Sequence, residues 1–386
     1  MTMFQIPSKL QSTLILALTL FWLSVTVNAA APVPAPPTVA GTGHLLIDFD
    51  SGRILSEKNA DQPLEPASLT KIMTAYVVLR EMHEGHVTLQ DQVLVSKKAW
   101  RTPGSRMFIE VGKKVSLETL LKGMIIQSGN DASVALAEHI AGSEETFANL
   151  MNEHAQRLGM LNTHFANSTG LPADGHLTTA QDIALVTKAT IKEFPNYYAW
   201  YSTREFTFND IKQKNRNRLL WRDDAVDGVK TGHTEAAGYC LVASAKKDGM
   251  RLISVVMGTQ SEDARAKESQ ALLNYGFRFF ETHRLYGAGD KLTTTRVWKG
   301  SKEQLNLGLN QDLYITIPRR QYKNLQASMS IEPKIMAPVN KGVTLGKVTI
   351  ALEGEAILET DLVALESLSE GGILQNIKDT VLLLLE

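Results

Sequence analysis

Hydrophobic and polar positions follow two different rhythms along this chain, and the change between them divides it. Pro63 and Pro66 precede Lys71-Ile-Met-Thr-Ala-Tyr-Val-Val-Leu-Arg80, a run that predicts a buried helix beginning near Ser68. Residues 116–127 and 131–141 place apolar side chains three and four apart, so two amphipathic helices are expected with a short polar joint between them. A further helix is expected to start at Thr178-Thr-Ala-Gln181, a capping-box pattern, and another to cover Glu262–Phe280. β-Prone runs lie near Leu45–Ile54 and across Gly238–Gly258, the second turning at Asp248-Gly249. Helical segments thus dominate from Ser68 to about Phe194 with strands on either side, an order that fits an α/β domain. From about Leu292 the rhythm shortens. The runs Thr293–Trp298, Leu313–Ile317, Leu325–Ile331 and Val343–Leu352, broken by Gly, Pro and Asn, predict a small all-β domain.

Both ends carry apolar segments of another kind. Lys9 opens an apolar stretch from Leu10 to Val27 that closes on Val27-Asn-Ala29, a small-residue cleavage pattern of the secretory type. Residues 1–29 are therefore expected to be a signal peptide, and the Pro- and Ala-rich residues 30–40 an extended linker. Residues 41–286 are expected to form the catalytic domain, 290–370 the β domain and 371–386 a terminal helix. On that helix Ile373, Leu374, Ile377, Val381, Leu384 and Leu385 share one face. The segment is too short to span a bilayer and is expected to lie in a membrane interface. Lys378 is its only cation beside Asp379 and Glu386, so attraction to anionic lipid should be weak. The alternative is a helix packed on its own β domain.

Composition narrows the field. A formal net charge of −1 argues against a nucleic-acid partner. A single cysteine in 386 residues forbids an internal disulfide despite the expected export, so stability must come from packing. The 44% apolar content can supply a large core.

Three short motifs carry the chemistry: Ser68-Leu-Thr-Lys71, Ser128-Gly-Asn130 and Lys230-Thr231-Gly232. Ser68 falls at a helix start with Lys71 on the same face at i+3. The positive end of the helix dipole and burial both disfavour a protonated lysine there, so Lys71 can act as a base. Free backbone N–H groups at the same helix start can stabilise an oxyanion. Singly, each motif has a bland reading. Ser244-Ala-Lys-Lys247 also fits S-x-x-K but lies in a strand-like run, and Tyr322-Lys-Asn324 satisfies a looser Y-x-N form. Ser128-Gly-Asn130 sits where any polar turn would serve. Lys230-Thr231-Gly232 lies at a strand edge that a substrate backbone could approach. It is the joint occurrence, in order, on helix start, interhelix joint and strand, that points to an acyl-transfer centre without histidine. Two other patterns do not. Ala166-Asn-Ser168-Thr-Gly170 resembles a nucleophile elbow but is followed by turn composition rather than a helix, so Ser168 is read as structural. His83-Glu-Gly-His86 lacks the spacing that puts two imidazoles on one helix face and is read as solvated loop histidines. No metal and no cofactor is called for.

These motifs, with Pro66-Ala-Ser-Leu-Thr-Lys-Ile-Met-Thr-Ala, Ile126-Gln-Ser-Gly-Asn-Asp-Ala, Asn215-Arg-Asn-Arg-Leu-Leu-Trp221, Val229-Lys-Thr-Gly-His-Thr234 and Tyr275-Gly-Phe-Arg-Phe-Phe280, resemble the D-alanyl-D-alanine carboxypeptidases, low-molecular-mass penicillin-binding proteins of the serine peptidase class. The resemblance runs from about Leu45 to Glu370. It implies a transpeptidase-like α/β domain whose antiparallel sheet packs against helices, followed by the small β domain. It implies Ser68 as nucleophile, Lys71 as general base, Ser128 as proton relay to the leaving amine, and Asn130 as holder of the substrate amide. Lys230 would position Ser128 and add positive potential, and Thr231 would receive the terminal carboxylate. The N–H groups of Ser68 and His233 would form the oxyanion hole beside Gly232, and Arg216 and Arg265 would assist carboxylate binding. Some family members carry a cysteine where this chain has Ser133, so thiol sensitivity is not expected there.

The implied reaction is removal of the terminal D-alanine from peptidoglycan stem pentapeptides, with β-lactams as covalent inhibitors. The implied location is periplasmic, on the outer face of the inner membrane, held at the membrane surface by the C-terminal helix. A β-lactamase shares the three motifs, but no E-x-x-L-N stretch stands between Ser128 and Lys230 to activate a deacylating water. A catalytically inactive wall-binding protein is the remaining alternative, against which all six motif side chains are present.

Overall fold

The computed structural model describes residues 33–385; the expected signal peptide, the first linker residues and Glu386 lie outside the described residues. Five antiparallel strands form the central sheet in the order β2-β1-β9-β8-β7: β1 (Gly43–Asp48), β2 (Ile54–Lys58), β7 (Val226–Thr234), β8 (Gly238–Lys247) and β9 (Met250–Thr259). Strands β8 and β9 form a hairpin through Asp248-Gly249, both at positive φ. Their central residues, from Cys240 to Ala245 and from Leu252 to Met257, are buried without alternation. Such runs mark a sheet covered on both faces. Strand β7 is left at one edge.

Helix α1 (Thr70–His83) is buried over all of Thr70–Leu79. Around it pack α2 (Leu117–Gln127), α3 (Asn130–Ala141), α4 (Glu144–Arg157) and α5 (Ala180–Glu193). A helix buried on every side must be apolar all round, and Ile72, Met73, Val77, Val78 and Leu79 meet that demand. Ser116 caps α2 by accepting from Thr119 N, and Ser143 caps α4 by accepting from Thr146 N. Helix α5 begins one residue later than its capping-box pattern predicts, with Thr179 and not Thr178 as the cap. The reason is a backbone bridge. Thr178 exchanges both hydrogen bonds with Leu64, at 2.8 and 2.9 Å, and is held extended. The expectation of two solvated loop histidines needs correction in one respect: both are exposed, but His83 ends α1 and sets its ring edge-on to Phe194, and only His86 lies beyond the helix. Two short hairpins, β3–β4 (Gln92–Leu94, Lys114–Ser116) and β5–β6 (Glu205–Phe208, Ile211–Lys214), border this helical layer. Helix α6 (Glu262–Phe279) lies against β8 and β9.

The C-terminal module is all β. Strand β10 (Phe280–Tyr286) pairs with β13 (Leu313–Pro318), and a sheet in the order β14-β16-β17-β12-β11-β15 makes up the rest. Those strands are β11 (Lys291–Trp298), β12 (Gln304–Gly308), β14 (Leu325–Ile331), β15 (Ile335–Met336), β16 (Thr344–Leu352) and β17 (Glu355–Ala364). Leu305, Leu307, Ile317, Val348 and Leu362 form its separate core. The hydrophobic pattern changes near Leu292, whereas pairing already gives Phe280–Tyr286 to this module. No turn residue separates β10 from α6, so the pattern carries no mark there.

Helix α7 (Ile373–Leu383) closes the chain, and its polar side faces the β module. Asp379 is buried and accepts from Lys299 N at 2.6 Å, and Lys378 pairs with Glu303 at 2.7 Å. The apolar face that the periodicity marked points outward, its six residues between 53% and 85% exposed.

Asp48 stitches the two modules together. Its fully buried carboxylate accepts from Ser51 N, Ser51 Oγ and, across the junction, Thr282 Oγ1 at 2.7 Å. Arg53 adds a 2.6 Å bond to the Thr316 carbonyl. Asp48→Ala strands those donors, and an unmet buried donor costs about 1–3 kcal/mol. Thermal denaturation should show a loss of that size, with faster proteolytic cleavage around Phe280–Tyr286. Unchanged melting and cleavage would show that the junction does not depend on Asp48.

Candidate active site

Ser68 lies in a single 3₁₀ turn, Ala67–Leu69, that leads directly into α1. Ala67 adopts a φ of 45°, unusual for a residue with a side chain, so the turn must be held by its surroundings. Two glycines hold it. Gly170 sits so close that a Cβ there would lie 1.8 Å from the Ala67 carbonyl oxygen. Gly232 approaches from the other side, where a Cβ would lie 3.2 Å from the Pro66 carbonyl and 3.3 Å from Ser68 N.

Lys71, one turn on, is 1% exposed. Its Nζ lies 2.9 Å from Ser68 Oγ and donates to the Thr169 carbonyl at 2.5 Å. Burial, followed by the nearby Arg216 charge, brings its pKa down to about 7, against the opposing pull of Asp131 and Glu144. The free amine is thus well populated at neutral pH, anchored by the Thr169 carbonyl within hydrogen-bonding reach of Ser68 Oγ.

Ser128 ends α2 in the left-handed region, at a φ of 70°, which turns its side chain away from the helix axis. Lys230 Nζ reaches it from β7, donating to Ser128 Oγ at 2.9 Å and to the Thr231 carbonyl at 3.0 Å. Lys230 is also buried, and burial with the charges of Lys71, Arg216 and Arg265 pushes its pKa well below the usual lysine value. Asn130 opens α3. Its Nδ2 donates to the Pro103 carbonyl at 2.7 Å, while its buried Oδ1 has no partner among the described residues, leaving an acceptor available in the cavity wall. Asp131 beside it accepts from the N–H groups of Met107, Phe108 and Ile109, fixing the loop that carries Gly104 and Ser105.

The edge strand β7 supplies Thr231, Gly232 and His233, whose ring stacks on Tyr239 at 3.9 Å. Arg265, expected to assist carboxylate binding, is 4% exposed and donates to the Gly232 carbonyl at 3.0 Å. Its guanidinium also lies over the Tyr239 ring. Arg216 is exposed at the cavity and is flanked by the buried Asn215 and Asn217, which bind neighbouring backbone.

These groups surround one cavity of about 420 Å³. Ser68, Ser128, Asn130, Arg216, Thr231 and Arg265 line it, together with Gly232 and His233, and Lys71 and Lys230 stand behind its two serines. Among the described residues Glu262 is the one carboxylate in the lining, already paired with Arg218 at 2.7 Å. The cavity therefore presents a positive potential to an incoming anion.

The sequence reading missed several contributors. Thr169 and Gly170 belong to the very segment set aside as a false nucleophile elbow. Ser168 in that segment is structural, its Oγ bound to Glu144 at 2.8 Å, but its neighbours complete the site through their backbone. Backbone contributions leave no mark in side-chain chemistry. Gly104, Ser105, Tyr239 and Glu262 also line the cavity, and no motif marks them. Ser244 is buried mid-strand in β8, and Tyr322–Asn324 forms a turn in the C-terminal module.

Comparison with known proteins extends these observations. Residues 29–261 match the family model of the S11 peptidases, described as D-alanyl-D-alanine carboxypeptidase. Residues 280–370 match the model described as penicillin-binding protein 5, C-terminal domain. The chain is 46% identical to the D-alanyl-D-alanine carboxypeptidase DacC of Escherichia coli, covering 94% of this chain and 93% of that protein. It is 42% identical to DacA of the same organism, covering 92% and 91%. Among solved structures, penicillin-binding protein 5 from Haemophilus influenzae superposes with a TM-score of 0.85 at 41% identity, over 87% of this chain and 100% of that one.

With Lys71 near neutrality, the rate of Ser68 acylation should climb as pH rises through about 7 and then level off, because only the unprotonated amine accepts the serine proton. Lys71→Arg, which keeps charge but cannot serve as a base, should slow acylation by roughly 10²-fold or more. Stopped-flow acylation between pH 5 and 9 checks both, and a flat profile would remove Lys71 from the role.

Proposed function

The chain belongs to the S11 family of D-alanyl-D-alanine carboxypeptidases and is a serine-peptidase hydrolase of that family, and we propose that Ser68, Lys71 and Ser128 perform its reaction in the cavity described above. The single observation that carries this assignment is a buried lysine with a pKa brought to about 7, 2.9 Å from the serine it would deprotonate.

The substrate's terminal carboxylate enters the positive end of the cavity, at Thr231, Arg216 and Arg265. Asn130 Oδ1, left without a protein partner, accepts from a substrate amide N–H. Neutral Lys71 takes the proton of Ser68 as Oγ attacks the carbonyl carbon of the scissile D-Ala-D-Ala bond. The N–H groups of Ser68 and His233 receive the oxyanion. Ser128, held in place by Lys230, passes its proton to the departing amine and takes up in turn the proton that Lys71 removed from Ser68, which returns Lys71 to its free form. D-Alanine leaves, and water, deprotonated by Lys71, releases the shortened stem peptide from Ser68. β-Lactams offer the same carboxylate and a strained amide, and they acylate Ser68 in its place. Peptidoglycan stem peptides and β-lactams are thus the ligands of one site. All six motif side chains stand in mutual reach around the cavity, which supports an active enzyme rather than an inert wall-binding protein.

We place the protein outside the cytoplasm, exported by residues 1–29 and resting on the outer face of the inner membrane. Among the described residues no helix is long and apolar enough to cross a membrane. The support for surface attachment is α7, docked by its polar side with Ile373, Leu374, Ile377, Val381, Leu384 and Leu385 turned outward. An amphipathic helix in that orientation lies in an interface rather than across it.

Brief exposure to penicillin should add one penicilloyl unit by intact mass, Ser68→Ala should show none, and the wild-type enzyme should release D-alanine from a D-Ala-D-Ala peptide. An adduct mapped to Ser168 or Ser244 would sink the assignment, and rapid multiple turnover of penicillin would favour a β-lactamase. Deleting the residues after Glu370 should move mature protein from the membrane pellet to the soluble fraction with acylation intact. Full-length protein that stays soluble at low and high salt would remove the attachment.

A further inference from the structure

His176 belongs to none of the motifs, yet it occupies a directed chain of hydrogen bonds that ends on the Ser68 turn. It is 2% exposed. Its Nδ1 lies 3.0 Å from the backbone N of Ala166. A backbone N–H can only donate, so Nδ1 carries the lone pair and the ring proton sits on Nε2. Nε2 lies 2.9 Å from Thr70 Oγ1, which donates in turn to the Ala67 carbonyl at 2.8 Å. The polarity of the whole chain is therefore fixed: Ala166 N–H to His176, His176 to Thr70, Thr70 to Ala67.

Both ends of this chain matter to the chemistry. Ala67 is the positive-φ residue immediately before Ser68, and Thr70 immediately precedes Lys71. Ala166 leads the segment whose Thr169 carbonyl binds Lys71 Nζ and whose Gly170 packs on the Ala67 carbonyl. Thr74 Oγ1 ties α1 to the Ser168 carbonyl one turn further on, but among the described residues the imidazole alone links the Thr70 hydroxyl, and through it the Ala67 carbonyl, to that segment. We propose that His176 is a positioning residue for acylation, a neutral imidazole that staples the Ser68 turn to the backbone segment that aims Lys71.

The charged groups felt by the ring are His164 on its own segment and Lys71 on α1, and both oppose a second proton. Burial, the larger cause, acts in the same direction and holds the ring's pKa at about 4. The neutral form thus persists across the range in which Lys71 titrates. Protonation would place an N–H against the Ala166 N–H and break the chain.

The inference rests on Ser68 and Lys71 being the acylating pair. His176→Ala and His176→Gln are compared with wild type by penicillin acylation kinetics per folded active site, with Ser68→Ala as control. Glutamine offers one acceptor and one donor, so it can serve both neighbours, whereas alanine serves neither. His176→Ala should lower the first-order acylation constant by about tenfold to 10²-fold, the scale expected of misplaced reacting groups, with little change in prior binding. Its rise with pH should also move upward as water reaches Lys71, and His176→Gln should restore most of both. Thr70→Val breaks the same chain at its next link without touching the ring, so it tests the staple even if His176→Ala folds poorly. Its effect should match and should not add to that of His176→Ala. Wild-type acylation constants and pH profile per folded site in both His176→Ala and Thr70→Val would overturn the proposal. An adduct surviving in Ser68→Ala would overturn the underlying pair instead.

Discussion

A lysine taken out of water without a carboxylate to pair with it is the constraint around which this site is arranged. Lys71 is enclosed at the foot of α1 and, among the described residues, bonds only to a serine oxygen and a backbone carbonyl. A full charge there would be costly to desolvate, and Arg216 raises that cost, so the proton is held loosely. Loose binding of the proton is what a general base at neutral pH requires. The same logic extends to Lys230, buried beside Ser128 with Lys71, Arg216 and Arg265 all disfavouring its charge. On the proposed reading, a carboxylate entering at Thr231 would satisfy the cations it meets and so link recognition of a free C-terminus to the electrostatics around Ser68.

Such a site cannot be built on one element, because no single helix or strand can surround a buried amine. Three backbones converge here. The start of α1 carries Ser68 and Lys71, the α2–α3 joint carries Ser128 and Asn130, and the edge strand β7 carries Lys230 and Thr231. The approach distances are short enough that glycine is needed where they meet, at Gly232 on the strand and Gly170 on the segment facing Ala67. Rigidity comes from burial. Helix α1 has no solvent face over its first ten residues, and Asp131 ties the Met107–Ile109 backbone to the Asn130 end of α3. A reactive pair on a turn with a positive-φ alanine needs such a frame.

The C-terminal module stands apart from that chemistry and has its own core. It is joined to the catalytic domain through Asp48, Thr282 and Thr316, a buried polar network rather than an apolar interface. At its far end Asp379 decides the orientation of α7. An amphipathic helix beside a protein surface would normally bury its apolar side. Here the buried carboxylate, bonded to Lys299 N, holds the polar side inward, and the apolar face is turned outward.

The order of hydrophobic rhythms was enough to separate a helical α/β stretch from an all-β tail and to place α1, α2, α3 and α6 nearly to the residue, because period and capping are local properties. The motifs also marked Ser68, Lys71, Ser128, Asn130, Lys230 and Thr231, which the fold then gathers around one cavity. What tertiary structure decided is everything that depends on long-range approach. The start of α5 shifted because Thr178 pairs with Leu64, and Phe280–Tyr286 joined the β module because its partner, Leu313–Pro318, lies beyond two intervening strands. Arg265 went inside because the Gly232 carbonyl, on β7, was there to receive it. Thr169, Gly170 and His176 entered the site through a carbonyl, an absent side chain and a fixed tautomer. Those contributions have no signature in residue type, since they arise only when two backbones distant in sequence are brought within hydrogen-bonding reach.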